Sequence, residues 1–165
     1  MKEPAPASQR LIEAARARGL DLIVHEFPAG TKTAADAAAA VGCPTAAIVK
    51  SLVFVVGDEP VVALVPGDLM LDTAKLEKAS GQAPARRATL DEVRNATGFA
   101  AGGTPPFGHS STVRVFADIE LRRNDSLWAA AGTPASVFPI SLNDLDRLAH
   151  PVWADLSQKD ELRPP

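Results

Sequence analysis

The sequence predicts one α/β domain in which helices surround a mixed sheet. Helical and strand patterns alternate along the 165 residues, no linker or internal repeat divides them, and hydrophobic residues make up 46% of the chain. That length and composition suit a single domain with a sizeable core. We expect residues 1–7 to form a flexible tail, residues 8–157 the domain and residues 158–165 a polar tail.

The first half of the chain contains two helical patterns and three strand patterns. Ser8 is a candidate N-cap for the first helix, and Thr33 and Asp36 have the spacing of a capping box at the second. Branched apolar residues on both sides of a GDEP turn predict an antiparallel hairpin. The predicted elements are a helix at 8–19, a strand at 21–27, a helix at 33–42, and strands at 47–56 and 61–66.

The second half alternates in the same way. Asp72 begins a helical pattern, and Thr89 with Glu92 and Ser141 with Asp144 have the spacing of capping boxes. The predicted elements are helices at 72–81, 89–98 and 141–149, and strands at 112–118, 126–132 and 135–140.

Charge and cysteine content exclude several classes of protein. The net charge of −3 and the pI near 5.6 give no overall basic field for DNA, although a local basic patch remains possible. The single cysteine, Cys43, forms no intramolecular disulfide and suits a reducing compartment. The first ten residues do not resemble a signal peptide, and the longest apolar run is too short to span a bilayer. We therefore expect a cytoplasmic protein with no membrane or DNA partner.

Lys50 lies within an apolar strand pattern. Alternation places it on one strand face with Ile48 and Leu52, and places Ser51 on the other face. A lysine is rarely buried without a partner, because removing its charge from water is costly. Lys50 either extends to water from the start of the strand or lines a pocket for a polar or anionic ligand.

Residues 97–109, TGFAAGGTPPFGH, contain four glycines and two prolines. Glycine lets a ligand approach the backbone closely, and exposed N–H groups can then hold an anion or an oxyanion. The alternative is a surface connection between a helix and a strand. The segment matches neither a P-loop nor a GxGxxG motif.

The remaining polar residues suggest no metal and no cofactor. His25, His109 and His150 lie far apart, and no ligand spacing such as HExxH or CxxC occurs. Lys75, Lys78, Arg86 and Arg87 form a basic cluster, which is either a solvated face or a contact for phosphates.

Three segments together resemble a known family. VGCPTAAIVKSLVF, LDTAKLEKASG and TGFAAGGTPPFGH are similar to segments of the YbaK/EbsC type of free-standing aminoacyl-tRNA deacylase, which is related to the editing domain of bacterial prolyl-tRNA synthetases. The resemblance covers roughly residues 8–156, and its most specific parts are Lys50 and the G-x-x-x-P loop at 102–106. It implies a mixed, strongly curved, barrel-like sheet with flanking helices.

The resemblance also implies a chemistry: hydrolysis of the ester that joins a wrong amino acid to tRNA, with no metal, no cofactor and no protein nucleophile. The loop N–H groups would hold the oxyanion, and Lys50 would bind the terminal nucleotide. A water activated by a ribose hydroxyl, or the substrate's own side chain, would attack. The tRNA acceptor end is the implied partner, with prolyl-tRNA synthetase or an elongation factor as further candidates. The implied catalytic residues are Lys50, Gly102 and Gly103, and the implied substrate-binding residues are Phe27, Thr31, Ser51, Thr104, Pro105, Pro106, Gly108, His109 and Asp118.

The sequence leaves the amino acid and two other functions open. Cysteine, alanine, serine and threonine all remain possible substrates, because the residues around Val137 depart from members of known specificity. A non-catalytic module that binds a tRNA end, a nucleotide or a synthetase is the first alternative. The second is a hydrolase of small esters or thioesters that uses His109 as its base.

Overall fold

The computed structural model describes residues 3–27 and 33–158 of the chain. The helices in these residues are α1 (Pro6–Arg16), α2 (Ala34–Val41), α3 (Thr73–Ser80), α4 (Leu90–Thr97) and α5 (Leu142–Ala149). The strands are β1 (His25–Glu26), β2 (Ile48–Val56), β3 (Glu59–Pro66), β4 (Met70–Leu71), β5 (Ala85–Arg87), β6 (Arg114–Asp118), β7 (Ser126–Ala130), β8 (Ser136–Ser141), β9 (Val152–Ala154) and β10 (Ser157–Gln158). None of these helices is long and apolar enough to cross a membrane.

The main sheet is mixed, as the sequence predicts. Its strand order is β1-β8-β7-β2-β3-β6-β9, and β5 pairs with β2 beside this path. The pairs β2–β3, β7–β8, β1–β8 and β2–β5 are antiparallel, whereas β2–β7, β3–β6 and β6–β9 are parallel. The short strands β4 and β10 form a separate antiparallel pair.

Most predicted helix starts are confirmed by their caps. The side chains of Thr33, Asp72, Thr89 and Ser141 each accept a hydrogen bond from a main-chain N–H in the first turn of α2, α3, α4 and α5, respectively. At α4, Glu92 completes the capping box by accepting from the N–H of Thr89. Local sequence is sufficient at these starts because the cap and its partner lie within one turn.

Two predictions about the first segment are wrong. Ser8 does not cap α1, since the helix begins at Pro6, a residue type that suits the first helical position. Ser8 is instead buried, and its hydroxyl donates to the carbonyl oxygen of Ala131, 2.6 Å away. The strand predicted at 21–27 is reduced to β1, which pairs with β8 through two residues.

The sheet is covered by apolar side chains on both faces. The larger cluster contains Leu64, Leu127 and Phe138 and is closed by Leu11 of α1 and Leu145 of α5. A second cluster contains Phe54 of β2, Phe116 of β6, Leu76 of α3 and Leu156. The alternation predicted for β2 is therefore confirmed, because Val49 and Val53 enter the first cluster and Phe54 and Val56 the second.

One edge of β2 is interrupted. Along its other edge β2 pairs with β3 over the whole span from Val49 to Val56. On the interrupted edge it pairs with β7 only at Ile48 and Val49, and with β5 only from Phe54 to Val56. The strand segment between these two contacts, Lys50–Val53, borders a gap in the sheet.

Candidate active site

A cavity of about 690 Å³ occupies the gap beside β2. Residues from β2, α2 and the strand pair β7–β8 meet there with residues of the segment 97–109, the glycine loop. Lys50, Ser51 and Gly102 are among them. The walls are largely apolar, and the described lining contains no Asp, Glu, His or Cys. The lining residues are Thr33, Ala34, Ala37, Ile48, Val49, Lys50, Ser51, Leu52, Arg87, Gly102, Thr104, Trp128, Ala129, Ala130, Pro134, Ala135, Ser136 and Val137.

Lys50 lies between this cavity and a neighbouring groove of about 540 Å³. Its side chain is half-buried, and Nζ donates to the carbonyl oxygen of Leu69 at 2.5 Å. Burial lowers the pKa of the Lys50 ammonium, nearby Asp68 opposes that shift, and Arg87 adds to it. Of the two alternatives that the sequence left open, the structure shows Lys50 in the lining of a cavity, and its binding of a polar or anionic ligand stays a prediction.

Asp68 is held beside Lys50 by a paired guanidinium. The Arg123 nitrogens donate to both carboxylate oxygens of Asp68, at 2.8 and 3.0 Å. This bonding lowers the pKa of the Asp68 carboxyl, so Asp68 stays ionised. Asp68 lines the neighbouring groove and supplies negative charge near Lys50.

The structure separates the roles of Gly102 and Gly103. Gly102 is exposed, lines the cavity and has φ +84°, and its N–H donates to no residue of the described chain. The N–H of Gly103 already donates to the carbonyl oxygen of Ala100 at 3.0 Å. A Cβ on Gly103 would come within 2.7–2.9 Å of the backbone of Thr133, so close packing requires glycine there. Gly102 therefore lines the cavity and its amide has no partner in the described chain, whereas Gly103 lets the loop pack.

The remainder of the glycine loop faces away from the cavity, except for Thr104. Pro105 and Pro106 are buried, and neither lines it. Gly108 packs on α1, where an added Cβ would meet Leu11 and Ala14.

His109 also lies outside the cavity lining. Its Nε2 lies 2.8 Å from the carbonyl oxygen of Pro105, and burial lowers the pKa of its imidazole. A carbonyl only accepts, so Nε2 carries the proton and Nδ1 is the nitrogen left to act as a base. Because His109 does not line the cavity, the geometry does not favour the alternative in which it is a catalytic base.

Three other predicted residues are not in the described lining. Phe27 is half-buried, and its N–H donates at 2.8 Å to the carbonyl oxygen of Ala135, which does line the cavity. Thr31 lies outside the described residues. Asp118 is fully buried at the end of β6.

Asp118 is connected to Lys50 through the C-terminal segment. Its Oδ1 accepts from the N–H of Leu156 at 3.0 Å, and the carbonyl oxygen of Leu156 accepts from the N–H of Asp72 at 2.7 Å. The β4–β10 ladder lies between these contacts and Leu69, whose carbonyl holds Lys50. The structure thus gives Asp118 a supporting position behind the site.

A sequence comparison identifies the family. The model of the family described as "Aminoacyl-tRNA editing domain" matches residues 28–148, most of the chain. The chain belongs to this family.

Individual proteins that resemble this chain point to the same family. The proline–tRNA ligase of Nitratidesulfovibrio vulgaris is 35% identical over 127 residues, which cover 77% of this chain and 22% of the ligase. The chain thus spans about a fifth of the length of that ligase. EbsC of Enterococcus faecalis, a proposed Cys-tRNA(Pro)/Cys-tRNA(Cys) deacylase, is 28% identical over 130 residues, covering 78% of this chain and 79% of EbsC.

A solved structure shows the same fold. The crystal structure of a proposed trans-editing enzyme for prolyl tRNA synthetase is 40% identical, with a TM-score of 0.89, and the match covers 95% of this chain and all of that one. The comparisons confirm the predicted fold class, the resemblance to the YbaK/EbsC type and the predicted enzyme class, an aminoacyl-tRNA deacylase.

The sequence did not single out several residues of the editing domain's cavity. Arg87 lies on β5, and its guanidinium has no ion-pair partner among the described residues, whereas Arg86 is bound by Glu92 and Lys75 by Asp155. Trp128 of β7 forms part of the wall and contacts the His25 ring edge-to-face at 5.1 Å. In the sequence, Arg87 was noted only as a member of the basic cluster, and no local pattern indicated Trp128. Pairing between distant strands brings both residues to the cavity.

The side chains that commonly bind metal ions do not come together as a metal site in the described part of the chain. Within residues 3–27 and 33–158, no group of three His, Cys, Asp or Glu side chains is placed to hold a metal ion.

The charges around Lys50 predict how its pKa responds to substitution. Asp68→Asn removes a negative charge and should lower the pKa of Lys50 further, whereas Arg87→Gln removes a positive charge and should raise it toward the ordinary lysine value. Because the folded protein binds this proton less tightly than the unfolded chain does, folding stability should rise as pH increases from the lowered pKa to the ordinary one. NMR of the ¹³C-methylated lysines measures the titration.

Loss of one resonance in Lys50→Arg assigns the signal to Lys50. A wild-type pKa at or above the ordinary lysine value, or shifts of the two variants in the reverse directions, would contradict this account of the site.

Proposed function

We propose that the chain is a trans-editing deacylase that hydrolyses the ester of a mischarged small amino acid on tRNA without a metal ion. One observation carries the proposal: Lys50 and the unbonded amide of Gly102 line the same apolar-walled cavity. A lysine ammonium binds an anion, and an unbonded N–H group stabilises an oxyanion. Ester hydrolysis at the end of a nucleic acid requires both.

In the proposed reaction, the ester carbonyl lies against the N–H of Gly102. Attack on the carbonyl carbon moves charge to the carbonyl oxygen, where that N–H stabilises it. The carbon–oxygen bond to the terminal ribose then breaks, and the leaving ribose oxygen takes up the proton that the attacking group loses. Gly103 supports the loop in this scheme, since its own amide is already used.

The described lining supplies no carboxylate, imidazole or thiol to activate the attacking group. The activation therefore comes from the substrate, either from a ribose hydroxyl acting on water or from the substrate's own side chain. An aminoacyl ester is already reactive, so orientation and oxyanion stabilisation suffice for useful acceleration.

The two cations of the lining are placed for the terminal nucleotide. Lys50 uses one of its three N–H donors on Leu69 and keeps two for a phosphate or ribose. Arg87 is exposed at the cavity and can bind a second phosphate oxygen. We infer that the tRNA acceptor end is the partner, with a prolyl-tRNA synthetase or an elongation factor as a further candidate partner.

Alanine, serine, threonine and cysteine are small amino acids that a synthetase cannot exclude completely by size alone. A second, hydrolytic site is therefore useful. The apolar walls from α2 and β7 favour an apolar side chain, and alanine is the one of the four whose side chain carries no polar group. Phe27 contributes indirectly by holding Ala135 in the opposite wall.

Replacing Lys50 tests the proposal. We expect the wild type to release amino acid from alanyl-, cysteinyl-, seryl- or threonyl-tRNA in the presence of chelator, fastest for alanyl-tRNA. Lys50→Ala should reduce the rate by about 10- to 100-fold, because a charge-assisted contact is lost. Lys78→Ala, an exposed lysine of α3, is the matched control and should keep wild-type activity.

The substrate panel also separates the alternatives. No release from a folded protein that still binds tRNA would favour a binding module. Release that stops with chelator would contradict the metal-independent reaction.

Gly102 has a matched control in Gly19. Both have positive φ, +84° and +85°, and an added methyl group meets nothing closer than 3.8 Å at either position. Gly102→Ala and Gly19→Ala should therefore each cost about 1 kcal/mol of folding stability. Only Gly102→Ala should lose activity, by about 100-fold, because relaxation of φ reorients the amide at the cavity. Denaturant melts and deacylation rates measure the two effects, and a fully active Gly102→Ala would contradict the predicted sensitivity of this amide to its φ.

A further inference from the structure

At the gap beside β2, some main-chain hydrogen-bonding groups border the cavity and have no partner among the described residues. The carbonyl oxygen of Ile48 accepts from the N–H of Gly67 at 2.8 Å, which fixes the direction of residue 48 toward β3. Main-chain N–H and C=O groups alternate between the two edges of an antiparallel strand, so those of Lys50 and Leu52 also point to β3. The main-chain groups of Val49, Ser51 and Val53 point to the interrupted edge.

Ser51 is the residue of this edge that neither neighbouring strand reaches. Val49 is paired with Ala129 of β7, and the carbonyl oxygen of Val53 accepts from the N–H of Ala88 at 3.1 Å. The N–H and C=O of Ser51 lie between these contacts and bond to no described residue on that edge.

The hydroxyl of Ser51 is also unsatisfied. Its Oγ is buried and has no hydrogen-bond partner in the described chain. The other hydroxyls of the lining are all used: Thr33 accepts from Asp36, Thr104 donates to Ala100, and Ser136 bonds to Thr133. Buried polar groups are normally paired, so this concentration of unmet capacity at one residue indicates a ligand group.

We propose that the main-chain carbonyl and the hydroxyl of Ser51 bind the α-amino group of the aminoacyl ester. This inference rests on the proposed function and specifies how the substrate is held. The α-amino group is the hydrogen-bond donor of the aminoacyl part, and the described lining contains no carboxylate to receive it. Ser51 and Gly102 line the same cavity, so amine and ester carbonyl can be held together.

The consequence is selectivity for esters that carry a donor on the α-carbon. A site built to hydrogen-bond a substrate group discriminates strongly against an analogue that lacks it, because its own polar groups are then left unpaired. Alanyl, lactyl and propionyl esters differ only in carrying an amino group, a hydroxyl or a hydrogen at this position.

The experiment compares deacylation of alanyl-, lactyl- and propionyl-tRNA by the wild type, each rate divided by the spontaneous hydrolysis of the same ester. We expect alanyl-tRNA to exceed propionyl-tRNA by at least about tenfold, with lactyl-tRNA in between because its hydroxyl donates one bond. Equal normalised rates for alanyl- and propionyl-tRNA would overturn the inference while leaving the deacylase intact. No turnover of any ester would instead refute the proposed function, and the inference with it.

Variants of Ser51 provide the second readout. Ser51→Ala should lower the normalised alanyl rate about fivefold and leave the propionyl rate unchanged, so the preference narrows. Ser51→Thr keeps the hydroxyl and should keep the preference. The propionyl rate serves as the internal control for folding, and an equal loss on both esters in Ser51→Ala would contradict the assigned role.

Discussion

The break in hydrogen bonding along one edge of β2 is the constraint on which the site depends. A buried strand normally pairs along both edges, because each unpaired main-chain group costs free energy. Here β3 satisfies one edge completely, while β7 and β5 satisfy only the two ends of the other. The unpaired segment between them would be a defect in a purely structural sheet. In this chain it borders a cavity and carries Lys50 and Ser51, and the glycine loop brings Gly102 to the same cavity.

The positive charge of Lys50 is stabilised by residues that follow β3 in the chain. The Leu69 carbonyl and the Asp68 carboxylate offset the cost of burying the ammonium, and Arg123 keeps Asp68 ionised. Behind them, the contact between Asp118 and Leu156 attaches the C-terminal strand β10, which pairs with β4 next to Leu69. A residue remote from the cavity can therefore matter to the function without touching a substrate.

Local signals predicted the parts of the fold that local physics determines. Four caps and the alternation along β2 were correct because each depends on residues within one helical turn or one strand. The short strands β4, β5, β9 and β10 were missed, since pairing with distant segments rather than their own composition makes them strands. At the site, Lys50 and Gly102 were predicted and line the same cavity, whereas Gly108 and His109 follow in sequence but turn away to pack on α1 and Pro105. Arg87 and Trp128 reach the cavity only through strand pairing that no local pattern reveals.

The central claim is that the gap beside β2 is where the aminoacyl end of the substrate lies. A non-hydrolysable analogue, adenosine with alanine joined to its 3′ carbon by an amide, can be titrated into ¹⁵N-labelled protein and followed by amide chemical shifts. The account predicts saturable shifts concentrated at Ser51 and Gly102, with little change at Gly103 and Gly108. Saturable shifts that cluster elsewhere, with Ser51 and Gly102 unmoved, would contradict it.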